Sequence, residues 1–170
     1  FRSGFQSGIN RMVFAPDGSL FVGQTDRGWG SLGGKSYGLQ RLAWTGETPL
    51  EIQTMQLTPT GFDLTFTRPL DPSAATNRAN YSLQRYHYLY RAQYGSPQVD
   101  NTPVAVEQAQ LSADRRTVAL RVPELRAGEI YELNLRDLRA DDGAELLHPV
   151  AYYTVNRLVG QATPLQAARP

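Results

Sequence analysis

The chain has 170 residues, a formal net charge of +1 and no cysteine. So balanced a charge offers no field for steering nucleic acid. The lack of thiols removes any disulfide framework, thiolate nucleophile or cysteine-based metal site. No apolar run approaches the roughly 20 residues a membrane-crossing helix requires, so no transmembrane segment is expected. No signal peptide is visible and the first residue is Phe1, which fits a processed or partial polypeptide.

The first fifty residues predict three strands. Arg11 to Ala15 and Leu20 to Gly23 flank Pro16-Asp17-Gly18, a turn in which Pro presets φ and Gly accepts a positive φ. A third strand runs from about Leu39 to Trp44. Val13-Phe14 and Phe21-Val22 are adjacent apolar pairs, so both faces of this meander are expected to be covered, as in stacked sheets. Three short strands cannot bury two apolar faces by themselves. Either the segment packs on the strands that follow, or, as is preferred here, it is the tail of a larger β-structure completed by other protein.

Between the second and third strands lies Thr25 to Gly38, rich in glycine. It contains Gly28-x-Gly30-x-x-Gly33, the spacing of a dinucleotide loop, but the sequel reads as strand where that motif requires a helix. Asp26, Arg27, Trp29 and Lys35 form a candidate ligand-binding set on this loop. The simpler expectation is a glycine-permitted connection anchored by Trp29.

After a connector with Pro49, seven strands are predicted. They lie at about Ile52–Leu57, Gly61–Phe66, Tyr81–Tyr90, Val104–Leu111, Thr117–Val122, Ile130–Leu135 and Ala151–Val155. Phe62, Leu64 and Phe66 alternate with Asp63, Thr65 and Thr67 until Pro69 and Pro72 end the ladder. One helical turn is expected over Ser73 to Arg78, capped by Asp71 or Ser73. Leu125, Gly128 and Tyr131 give an L-x-x-G-x-x-Y pattern, in which the tyrosine hydroxyl can turn back onto the preceding loop, as in a tyrosine corner.

Tyr86, Tyr88 and Tyr90 alternate, so they are expected to share one strand face. An exposed stripe of this kind can stack on sugar rings or serve as a protein interface. Arg85, His87, Leu89 and Arg91 on the other parity make a poor core face, which favours core or domain-interface packing of the tyrosines over ligand binding. His87 and His148 are the only histidines and belong to no metal-binding spacing. No nucleophile elbow is present, and no catalytic residue is assigned. The expected fold is all-β: a three-stranded meander over residues 1–50, an immunoglobulin-like β-sandwich over 51–158 and a flexible tail over 159–170.

Two resemblances follow from these residues. F-A-P-D-G-S-L-F-V-G, with D-R-G-W-G-S and Y-G-L-Q-R-L-A-W-T-G, resembles the closing part of the β-propeller of secreted bacterial glucose/sorbosone dehydrogenase-like proteins, often joined to cytochrome c domains. F-T-R-P-L-D-P-S-A-A-T-N-R-A-N-Y-S-L, with L-R-A-G-E-I-Y-E-L-N-L-R-D-L-R-A-D-D-G-A-E-L, is similar to bacterial Ig-like domains of surface-layer and secreted proteins. The first implies that residues 1–50 are a partial propeller-type meander packed on upstream propeller blades or other protein chains, with pyrroloquinoline quinone or haem c open to a longer parent and no cofactor held by this chain. Together they imply a periplasmic or extracellular location. Three functions are left open: a non-catalytic packing or binding module, which is favoured, the C-terminal part of a quinone- or haem-linked dehydrogenase, and a carbohydrate-binding module using Trp29 or the tyrosine stripe.

Overall fold

In the computed structural model, which describes residues 3–26 and 33–160, the chain divides into two compact units, Phe1–Glu47 and Thr48–Pro170. The described residues form three antiparallel sheets with one short α-helix and one 3₁₀ turn (Arg78–Asn80), and no closed barrel or propeller.

The first unit is a meander of β1 (Ile9–Phe14), β2 (Leu20–Thr25) and β3 (Tyr37–Leu42), in the order β1-β2-β3. Its hairpin forms at the predicted turn. Gly18 sits at φ +79°, and its N–H donates to Ala15 O at 2.9 Å. Asp17 accepts from the Ser19 amide at 3.0 Å and pairs with Arg41 on β3 at 2.6 Å. The three predicted strands form here, and among the described residues they close no propeller.

The second unit is built around β5 (Gly61–Phe66), whose inward side chains Phe62, Leu64 and Phe66 are fully buried. It is an inner strand of the sheet β4-β5-β9-β8, with β4 at Ile52–Thr58, β8 at Gln108–Leu111 and β9 at Thr117–Arg121. The facing sheet is β11-β10-β6-β7, with β6 at Tyr81–Tyr88, β7 at Gln98–Val104, β10 at Glu129–Leu135 and β11 at Val150–Val155. The sheets meet through one shared core. Phe62 lies 5.3 Å from Tyr131 and 5.5 Å from Tyr153, ring centroid to centroid, and Leu64, Val118, Leu120, Leu83 and Leu133 fill the space around them.

Where β5 ends, helix α1 (Pro72–Thr76) begins with Pro72 in its first turn, and Asp71 caps it by accepting from the Ala74 amide at 2.9 Å. The predicted strand Val104–Leu111 is in fact two strands, because the chain crosses from one sheet to the other over residues 105–107. β7 carries few apolar residues and contains Pro103, so its sequence conceals it. Pairing with β6 creates the strand, and its edge position tolerates the proline.

Tyr131 is fully buried. Its hydroxyl accepts from the Arg126 amide at 2.7 Å and lies 3.5 Å from the Glu124 carbonyl. Gly128, at φ +83°, turns the loop that makes this closure possible.

Two outcomes follow for equilibrium unfolding in urea. A Cβ on Gly61 would lie 1.8 Å from the Leu120 carbonyl oxygen on the neighbouring strand, so Gly61→Ala must part β5 from β9 and should cost on the order of 2 kcal/mol or more. Tyr131→Phe keeps the ring but removes the hydroxyl, and should cost about 1 kcal/mol. An unchanged midpoint in either variant contradicts the corresponding contact.

Candidate binding surface

β6 alternates around Leu83, which faces the core together with Tyr81 and, at the strand's far end, Arg85. Tyr86 and Tyr88 alternate onto the face opposite Leu83, where Tyr86 is nevertheless buried and Tyr88 is exposed. The inward Arg85 is accommodated opposite Tyr131 on β10. Its charge stands near that tyrosine's hydroxyl end, where the core meets its rim. Tyr90 lies past the end of β6 and is fully exposed, so the three tyrosines do not form one stripe.

The outward residues are ordered by strand register. Glu132 on β10 stands between Tyr152 on β11 and Gln84 on β6, and Ile130 pairs with Tyr86. Tyr86 is buried at 2% exposure, whereas Tyr88 and Tyr152 are 48% and 61% exposed. The Tyr86 and Tyr88 rings meet edge to face with centroids 5.6 Å apart. Burial pushes the Tyr86 phenol up to about 12, reinforced by the Tyr88 hydroxyl and by the nearby Glu132 and Tyr152. Asn134 donates to Glu132 at 3.1 Å, which fixes the carboxylate's position.

Beside this face β7 bulges. Arg85 pairs with Thr102 and His87 with Val99, so Asp100 and Asn101 together oppose Tyr86. Asp100 takes φ +58° there, and its carboxylate lies 3.7 Å from the His87 ring. The loop that follows β6 is closed by Arg91, whose Nε donates to Gly95 O at 2.9 Å.

On the first unit, Asp26 and Lys35 are exposed. The Asp26 amide donates to Ser36 O and the Lys35 amide to Gln6 O, both at 3.1 Å, so backbone bonds shape what the structure describes of this loop. Arg27 and Trp29 lie outside the described residues. The loop leads into strand β3, as the sequence requires for rejecting a dinucleotide site.

Elsewhere carboxylates serve turns, caps and ion pairs. A Ser73 hydrogen bond followed by the Ala74 amide lowers Asp71, and a Ser112 hydrogen bond lowers Asp114. Asp142 is lowered first by the Ala144 amide and then by Arg68. A surface hollow of about 490 Å³ is lined by Asp71, Asn77, Asp137 and Arg139, but its Asp71 is already committed to capping α1. Among the described residues no group of three or more His, Asp or Glu side chains is placed to hold a metal ion. No described helix is long and apolar enough to cross a membrane.

Sequence reasoning missed Gln84, Glu132 and Tyr152. Their parity was available, since Glu132 alternates with the inward Tyr131 and Leu133, but which strands stand side by side was not.

No family model matches the sequence, and no curated protein matches it. Solved structures do. The chain is similar to the S-layer protein rSbsC(31-844), with TM-score 0.50 and 19% identity, over 66% of this chain and 14% of that one. It is similar to the same extent, with TM-score 0.50 and 19% identity, to domains 1-6 of the surface layer protein SbsC. The chain thus spans about a seventh of the length of the structures it matches. These neighbours overturn the resemblance to a dehydrogenase propeller, and the quinone and haem expectations that rested on it fall with it. Likeness at this identity is likeness of fold.

Proposed function

We propose that this chain is a non-catalytic structural module of a larger extracellular or cell-surface bacterial protein, working by packing against other protein. Its second unit is read as an immunoglobulin-like sandwich. The Tyr131 closure onto its own loop and the two packed antiparallel sheets support that reading. The fold likeness to S-layer proteins supports the cell-surface setting.

The observation that carries the packing role is the first unit's meander, where Met12 and Phe14 are exposed from one face and Val13, Tyr37 and Leu39 from the other. Apolar side chains on both faces of a thin sheet belong to an inner layer, and left in water they mark an interaction site. The partner is read as further protein layers.

Hydroxyl-radical footprinting tests this. Met12 and Tyr37 should oxidise several-fold more slowly in the native cell-surface material than in the purified chain. Equal oxidation in the two would overturn the packing role.

A further inference from the structure

We propose that the outward face of the sheet β11-β10-β6-β7 binds a neutral polysaccharide, with Tyr152 and Tyr88 as stacking platforms and Glu132, Gln84 and Asn134 as hydroxyl partners. The inference goes beyond the packing role and uses a different unit of the chain.

The face has unusual chemistry for this protein. Of the ten outward positions on β6, β10 and β11, Glu132 alone is charged, and the others are amide, hydroxyl, tyrosine and two aliphatic side chains; on the edge strand β7, Asp100 adds a second carboxylate opposite Tyr86 and no cation. The corresponding row on the other sheet runs Gln56, Asp63, Ala119, Gln110, and no aromatic side chain alternates outward there among the described residues. Aromatic groups are thus concentrated on one of two otherwise similar solvent faces.

Charge complementarity selects the occupant. Tyrosine ring faces carry negative potential, so they attract the polarised C–H groups of a sugar ring. Glu132 and Gln84 stand side by side between strands and offer acceptors and donors for hydroxyls. With no cation in the ten positions, an anionic polymer is disfavoured. Tyr152 and Tyr88 are two strands and four residues apart in register, a Cα separation of about 16 Å, which suits a short oligosaccharide rather than a single ring. Tyr86 is too buried to stack, and its edge-to-face contact instead holds Tyr88 in place.

The test uses the full ¹⁵N-labelled chain titrated to millimolar concentration with cellohexaose, chitohexaose and maltohexaose, and with oligogalacturonate as the anionic control. At least one neutral probe should shift the amides of Gln84, Glu132 and Tyr152. Tyr152→Ala and Tyr88→Ala, each checked to retain the parent amide spectrum, should weaken that binding roughly three- to tenfold. The proposal is overturned if no neutral probe shifts these amides, if binding survives both substitutions unchanged, or if oligogalacturonate binds there more tightly. Shifts that track protein concentration and vanish in Tyr152→Ala would also overturn it, by marking the face as a contact between copies of the chain.

Discussion

The second unit depends on one ring placed between two others. Phe62 projects from an inner strand of one sheet and meets Tyr131 and Tyr153 on neighbouring strands of the other, with centroids 5.3 and 5.5 Å away. Tilted aromatic contacts at this spacing add to the energy of burying the rings. They also fix which residues of the two sheets lie opposite. Once Tyr131 and Tyr153 point inward, strand alternation leaves Glu132 and Tyr152 no choice but to point outward. The exposed surface is therefore a consequence of the core's register.

Gly61 belongs to the same constraint. Its lack of a side chain lets β5 lie against the Leu120 carbonyl, which brings Phe62 to the depth at which it reaches the opposite sheet. The exit Arg68-Pro69-Leu70-Asp71-Pro72 then anchors the strand's end. Arg68 pairs with Asp142, Leu70 is fully buried, and Asp71 starts the short helix. The stretch that looked in sequence like a strand with a hard stop is thus both the centre of one sheet and a tie to the turn before β11.

Much of this was legible in the residues, and the failures have physical causes. β5 and β10 announced themselves because a half-buried strand must alternate, and Pro16-Asp17-Gly18 and Gly128 because their backbone conformations suit few residues. β7 was hidden because Gln98–Val104 gains its strand character from pairing with β6 rather than from its own side chains. The exposure of Tyr88 was missed for a related reason: Arg85 looked too polar to face inward. At the rim of the core a long cationic side chain can cover apolar surface with its stem, and there the residue is 6% exposed. The surface around Glu132 was beyond sequence reasoning, since it joins residues from three strands whose adjacency is a property of the fold. The dehydrogenase resemblance failed because a short hairpin phrase reports a turn and two strands, which many all-β proteins share.

The most direct measurement is a double-mutant cycle in urea unfolding with Phe62→Leu, Tyr131→Leu and the double variant. A contact that joins the sheets predicts a coupling of about 0.5–1.5 kcal/mol between the two positions. Strictly additive losses would contradict it, and would mean that the sheets are held by bulk apolar burial with no special role for the Phe62 ring.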